Sequence, residues 1–264
     1  MKFRPAALCH IRAGAGAGVL LSSAPFMSDP VSRVPFEESP WQAGLRSARA
    51  TALPGAVLVS AAAAVVVGYY QSEAFHAVLE HVAAFRTRWG LAYSIGATSL
   101  FAGIVPFLYL HFNRSTAAAH PWRHLLFFAL FWGYKGAEVD YFYRLQAFLF
   151  GTDLSFATIG KKLLFDQIVY NGLFAAPYGV LVYDWKDANY AWGPALADFR
   201  RPRWYQRRVL AVMIGVFGVW VPAAACIYAM PPALQLPLNS FVNCFWVILF
   251  SLIVARQNGS MQRG

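Results

Sequence analysis

Residues 125–150 read LLFFALFWGYKGAEVDYFYRLQAFLF, an apolar run that is long enough to cross a bilayer and yet contains four charged side chains. About 20 apolar residues span the hydrocarbon core as a helix, and each charge inside it costs a few kcal/mol unless it is paired or lines water. Lys135 and Glu138 are three residues apart, and Asp140 and Arg144 are four apart, so each pair can meet on a helix. At about 100° per residue the two pairs face different sides. We therefore expect this helix to lie in the centre of a bundle.

The composition of the whole chain indicates a membrane protein. Of its 264 residues, 58% are hydrophobic, 17% aromatic and 13% charged, whereas a soluble domain has about 25% charged residues. This composition excludes a disordered protein and is not typical of a cytosolic enzyme. No alternation of period two is present, so the sequence predicts an all-α polytopic transmembrane bundle of about six helices within residues 51–255. The other five candidate spans are Ala52–Tyr70, Leu91–Phe112, Leu163–Tyr183, Arg207–Met230 and Leu236–Ala255.

The two ends of the chain are predicted to lie outside this bundle. Residues 1–50 carry basic residues before the first acid, Asp29, and a Gly/Ala run at 13–18. They are interpreted as a disordered or leader-like tail. Residues 256–264 form a second, short tail.

The net charge of +10 is explained by the predicted topology. With six spans, sixteen basic residues lie on the side of both termini, and the other side holds Arg86, Arg88, Lys161 and Lys162. Because cytoplasmic loops carry the excess of Lys and Arg, both termini are predicted to be cytoplasmic, or in the matrix of an organelle. The expected location is a bacterial inner or plasma membrane, or an organellar membrane. The lipid bilayer with its anionic headgroups is the expected partner, a homo-oligomer is compatible with this topology, and nucleic acid is not needed to explain the charge.

A basic and aromatic segment precedes the fifth candidate span. Such a pattern can stack single-stranded bases, but its place directly before a span favours an anchor at the lipid interface, with arginines on anionic headgroups and aromatic rings in the interfacial belt. The predicted lipid-interface residues are Arg200, Arg201, Arg203, Trp204, Tyr205, Arg207 and Arg208.

Enzymatic interpretations find little support in the sequence. His120 and His124 form an HxxxH pattern, but a di-metal membrane site needs many more histidines than the six present. These histidines are interpreted as interfacial. The chain contains no GxSxG, P-loop or HExxH motif. We expect no enzymatic activity, no cofactor and no metal site.

Three motifs carry a resemblance to a known family. Gly136, Asp140, Phe142 and Tyr143 have the spacing of its G-P-x-x-H-x-W-Y motif, and residues 161–167, KKLLFDQ, match its K-K-x-x-x-D-Q motif. Residues 220–223, WVPA, are similar to the start of its W-P-A-x-Q-x-x-N-F segment. On these residues the chain resembles the peroxisomal twenty-two-kilodalton membrane protein family, also called the Mpv-seventeen family. Three motif positions depart from the pattern: Ala137 replaces the proline, Asp140 the histidine and Phe142 the tryptophan.

The resemblance implies a small helical bundle and a channel-like protein that passes small solutes. Two functional interpretations stay open: a weakly selective channel, pore or transport-related protein, and a non-conducting structural or stress-related scaffold. In the first, charged residues line the path; in the second, they form a satisfied network that fixes the packing of the helices. The candidate residues of this pore or buried polar network are Lys135, Gly136, Glu138, Asp140, Tyr143, Arg144, Lys162, Asp166 and Gln167.

Overall fold

A computed structural model of the chain describes residues 39–261, and the side chains of residues 39–249. The described part contains seven helices, and the all-α prediction is confirmed for it. Helix α4 is continuous through three segments, Phe156–Leu164, Phe165–Ala175 and Ala176–Asp187, of which the middle one is π-helical. The other six helices are α1 Pro40–Gln71, α2 Glu73–Phe112, α3 Leu125–Phe150, α5 Trp192–Phe199, α6 Tyr205–Tyr228 and α7 Pro232–Met261.

The first two helices begin earlier than the apolar runs predict. Helix α1 begins at Pro40, where Ser39 and Gln42 form a reciprocal capping box, so residues 40–50 are helical and do not belong to a tail. The predicted tail at residues 1–38 lies outside the described residues. Helix α2 begins after Ser72, whose side chain accepts a hydrogen bond from the Phe75 backbone N–H. Arg86 therefore lies on a helix rather than in the predicted connection, and α2 is broken at Gly90, whose φ of 51° suits glycine.

Four helices of the described part are long and apolar enough to cross a membrane: Pro40–Gln71, Glu73–Phe112, Tyr205–Tyr228 and Pro232–Leu249. They indicate an integral multi-pass membrane protein. Helices α3 and α4 do not meet this criterion, because their charged and amide side chains lower the mean hydropathy. By length and hydropathy, four of the six predicted spans are thus found in the described residues.

Glycines allow the helices to approach one another closely. A Cβ atom added to Gly55 of α1 would collide with the Val219 side chain of α6, and one added to Gly215 would lie 2.9 Å from Ser47 Cβ. Between α2 and α3, a Cβ on Gly103 would lie 2.7 Å from the Phe128 carbonyl oxygen. Small residues at such contacts are typical of helix packing in membranes.

Helix α3 lies between α2, α4 and α7. Its inner face carries large aromatic side chains, including Phe128 and Trp132, which are almost fully buried. Its outer face is a stripe of exposed apolar and aromatic residues, with Phe148 86% exposed. This stripe consists of Leu126, Leu130, Tyr134, Tyr141, Leu145 and Phe148. The outer face of α3 is thus apolar, and Lys135, Glu138 and Asp140 are turned inward.

Candidate functional site

Asp140 is the centre of one ion-pair cluster. Its carboxylate is 1% exposed and accepts hydrogen bonds from Arg86 Nη2 at 2.7 Å, Arg144 Nε at 2.8 Å and Ser94 Oγ at 3.0 Å. The predicted pair of Asp140 with Arg144 is present, and α2 supplies two further donors. The Arg144 side chain is 60% exposed, however, so it is not part of a buried network. It lies in the last two turns of α3, where its long side chain reaches the surface of the bundle.

Lys135 and Glu138 form a second cluster with a tyrosine of α4. Lys135 Nζ forms an ion pair with Glu138 Oε1, as the spacing predicts. The Tyr170 hydroxyl donates to the same carboxylate oxygen and accepts a hydrogen bond from Lys135 Nζ at 3.1 Å. The second cluster faces α4, whereas the first faces α2. The expectation that the two pairs point to different neighbours is confirmed.

The π-helical segment of α4 brings a set of polar side chains onto one face. Asn171 Nδ2 donates to Asp166 Oδ1 at 3.0 Å, although the two residues are five positions apart. Five positions correspond to about 140° of rotation in an α-helix, but a π-helix bonds residue i to i+5 and so aligns them. Gln167 Nε2 also donates to Asp166, at 3.4 Å. Wide turns of this kind are frequent at functional sites.

A cavity of about 140 Å³ lies between α2, α3, α4, α6 and α7. We call it the central cavity. Its walls are mostly apolar and aromatic and include Phe131, Tyr143, Tyr170 and Trp220. The charged and amide residues that line it are Lys135, Asp166, Gln167, Asn171, Asn239 and Asn243. Pockets with apolar walls and a few convergent polar groups are typical ligand sites.

The predicted residues do not all belong to this cavity. Lys135, Tyr143, Asp166 and Gln167 line it. Gly136 instead lies at the contact of α3 with α2, where an added Cβ would collide with the Ser94 carbonyl oxygen.

The remaining predicted residues lie around the cavity without lining it. Lys162 is buried, and its backbone carbonyl accepts a hydrogen bond from Gln146 Nε2 at 3.0 Å. Glu138, Asp140 and Arg144 belong to the two ion-pair clusters.

Sequence reasoning missed three groups of this region. Tyr170 and Asn171 follow the Lys-Lys-x-x-x-Asp-Gln motif but lie outside it, and Arg86 was assigned to a connection. Asn239 and Asn243 are two amides four residues apart in an apolar run, a spacing that places both on one helix face. This spacing is the signal that could have identified them.

The predicted lipid-interface segment is only partly exposed. Arg200, Arg201, Arg203 and Tyr205 are exposed, and Arg207 is half-buried. Trp204 is buried in the aromatic core against the Phe199 ring. For Trp204 the lipid-contact prediction is therefore wrong.

The same prediction is wrong for Arg208, the last basic residue of the segment. Its side chain is 7% exposed and forms ion pairs with Asp184 and Asp198, so it connects α6 to the end of α4 and to α5. Intramolecular carboxylates, rather than lipid headgroups, neutralise this arginine.

The two histidines before α3 are buried rather than interfacial. His120 and His124 are each 2% exposed. His120 Nδ1 lies 2.9 Å from the Thr116 carbonyl oxygen, and His124 Nδ1 lies 2.8 Å from the Tyr190 hydroxyl. Burial lowers the pKa of both imidazoles to about 4. Both rings are therefore neutral at pH 7.

No protein-family model, curated protein or solved structure matches the chain. The site is therefore interpreted from its own geometry. Membership of the Mpv-seventeen family stays a prediction that depends on the motifs quoted above.

Proposed function

We propose that six helices of this protein cross a membrane and that the central cavity is part of a weakly selective path for small solutes. The observation that carries the proposal is the cavity itself: a space between five helices with mostly apolar walls and a few polar groups that converge on it. Two charged residues and four amides line it. Polar groups of this kind inside a membrane protein are expensive and mark solute pathways. The proposal contains no catalytic step and no cofactor.

The surfaces of α3 and α4 support their assignment as the two additional spans. In both helices the outward surface is mostly apolar and the inward surface carries several charged and amide side chains. A mean hydropathy averages these two surfaces. The outward stripe of α3 is apolar, and the exposed side chains of α4 include Leu164, Ile168 and Leu173. The side chains of Lys135, Glu138, Asp140, Asp166 and Gln167 face each other, α2 or the cavity, whereas Arg144 and Lys161 are exposed. Such a helix is suitable for the interior of a membrane bundle even though its sequence is not apolar throughout.

An even number of spans supports the proposed orientation. With six spans, both termini and the exposed Arg200, Arg201 and Arg203 lie on the same side, the cytoplasm or the matrix of an organelle. These arginines are the proposed contacts with anionic headgroups. The resemblance to the Mpv-seventeen family supports both the location and the channel-like function.

A flux assay with matched variants tests the proposal. Purified protein is reconstituted into liposomes, and the efflux of neutral and charged solutes of graded size is compared with that from empty liposomes. We expect flux from the wild type and altered flux from Lys135→Met and Asp166→Asn. Lys161→Met and Glu73→Gln change exposed residues of the same types and serve as controls. Folded protein that gives no flux above empty liposomes would exclude the solute path.

The scaffold is the second candidate, and the two ion-pair clusters favour it. Each acid of α3 has a basic partner, and Arg86 connects Asp140 to α2. The Tyr170 hydroxyl connects the Lys135–Glu138 pair to α4. A scaffold predicts that Glu138→Gln lowers thermal stability and that no solute flux exists for any variant to change. The same liposomes therefore distinguish the two functions.

A further inference from the structure

Asp166 differs from the acids of α3 in its partners. Glu138 has Lys135 within ion-pair distance, and Asp140 has Arg86 and Arg144. Among the described side chains, no basic group lies within 4.0 Å of Asp166. Its carboxylate is buried and accepts hydrogen bonds from the neutral amides of Asn171 and Gln167. Within the described residues it is thus a buried acid without a basic group in ion-pair contact.

Burying a carboxylate is costly unless the group is paired or protonated. Lys135 shares the cavity with Asp166, but its ammonium is held by Glu138 and by the Tyr170 hydroxyl. The charge of Lys135 is thus already neutralised within α3. The Asp166 carboxylate borders the cavity, so a cation bound in the cavity would lie close to it.

The walls of the cavity indicate the kind of cation. Tyr143 and Trp220 contribute aromatic rings, and rings of this kind attract ammonium groups through their electron-rich faces. Asn239 and Asn243 add amide groups. The combination of aromatic walls and one acid suits an ammonium carried on an apolar body. An inorganic cation would require a shell of oxygen ligands instead.

The volume indicates the size of a molecule held inside the cavity. At roughly 10–15 Å³ for each water-sized group, the cavity of about 140 Å³ holds a molecule of approximately ten heavy atoms. Small primary and quaternary amines fit this space. A peptide or a nucleotide does not.

We propose that the central cavity binds small organic ammonium ions with Asp166 as their counter-ion. The proposal depends on the proposed function in taking this cavity as the solute site, and it adds the class of solute. Asp166 supplies the negative charge, the aromatic rings contact the apolar substituents, and the surrounding amides complete the polar contacts. Binding does not require that the solute crosses the membrane.

Calorimetric titration of the protein in lipid nanodiscs tests this inference. The probes are tetramethylammonium chloride, potassium chloride and the uncharged tert-butanol, all at constant ionic strength. We expect saturable binding of tetramethylammonium only. Asp166→Asn is expected to weaken it by about tenfold or more, because the Coulombic attraction between the carboxylate and the cation is lost. Glu73→Gln, at an exposed position of α2, is expected to bind as the wild type does.

Three outcomes would overturn the inference: no saturable binding of tetramethylammonium to folded wild type, equal binding by folded Asp166→Asn, or equal binding of tert-butanol or potassium. The comparison of the three probes on the wild type needs no variant, so it stays decisive if Asp166→Asn does not fold. Flux without ammonium binding would contradict only this inference. Ammonium binding without flux would contradict only the solute path.

Discussion

Gly136 provides a direct test of how α3 packs in the bundle. A Cβ atom at this position would lie 2.8 Å from Thr98 Cβ and would collide with the Ser94 carbonyl oxygen. The carbonyl belongs to the backbone of α2, so it can move only if the helix moves. Gly133 lies three residues earlier on α3, and a Cβ there would lie 3.5 Å from Ile95 Cγ2, which is an ordinary contact. The two glycines therefore form a matched pair.

The expected change in the free energy of unfolding is the sum of two opposing contributions. Replacing glycine by alanine in a helix stabilises it by about 1 kcal/mol, and this gain applies to both positions. Overpacking costs about 1–3 kcal/mol, occasionally more, and this cost applies only to Gly136→Ala. Separation of α2 from α3 would also strain the hydrogen bond from Ser94 to Asp140. We expect Gly136→Ala to be less stable than Gly133→Ala by about 1–3 kcal/mol.

Reversible unfolding of the two variants in the same detergent micelles, followed by circular dichroism, measures this difference. Gly133→Ala is expected to equal or exceed the wild type in stability, whereas Gly136→Ala is expected to fall below Gly133→Ala. Equal stability of the two alanine variants, or a more stable Gly136→Ala, would refute the close contact of α3 with α2 at this position.

Two further predictions concern the same molecule in the same unfolding assay. Arg86→Gln is expected to lower the free energy of unfolding by about 3 kcal/mol, because the Arg86 side chain is only 15% exposed and pairs with the buried Asp140. Arg144→Gln is expected to lower it by less than about 1 kcal/mol, because the Arg144 side chain is 60% exposed. The reverse order would contradict these assignments. The second prediction concerns His120. Its Nδ1 donates to the Thr116 carbonyl oxygen, and its Nε2 is buried without a hydrogen-bond partner. Burial lowers the pKa of this imidazole from 6.5 to about 4. Between these two pH values the folded state binds fewer protons than the unfolded state. The free energy of unfolding should therefore fall by up to about 3 kcal/mol as pH decreases from about 6.5 to about 4. A wild-type dependence of stability on pH that is no steeper than that of His120→Asn would refute the prediction.

The spacing of residues along the sequence predicted those contacts of the site that form within a single helix. The two ion pairs of α3 follow from separations of three and four residues on one helix. Arg86 could not be assigned in this way, because it reaches Asp140 from 54 positions away and from a helix that begins before the apolar run. Ser72, which caps the N-terminus of α2, was the feature of the sequence that indicated where this helix begins.

The errors at residues 200–208 have a similar cause. Trp204 and Arg208 were assigned to lipid from their composition and place in the chain. Their actual partners, Phe199, Asp184 and Asp198, come from other helices or from the preceding turn. Tertiary ion pairs are not visible in a one-dimensional pattern. The π-helical turn was also not foreseen, since apolar periodicity does not distinguish it from an ordinary helix over so few residues.

The wide winding of Phe165–Ala175 has a consequence for how α4 tolerates changes in length. Each of its hydrogen bonds spans one residue more than in an α-helix, as between the Ala176 N–H and the Asn171 carbonyl. A π-helical turn holds one residue more than an α-helical turn, so loss of a single residue here lets the segment close toward α-helical winding while the two halves of α4 keep their phase. Tyr183 would then stay buried against Phe127 and Phe131 of α3. A one-residue deletion within Phe165–Ala175 is therefore expected to be tolerated better than one in the regular α-helix Leu125–Phe150, where the part beyond it would turn by about 100°.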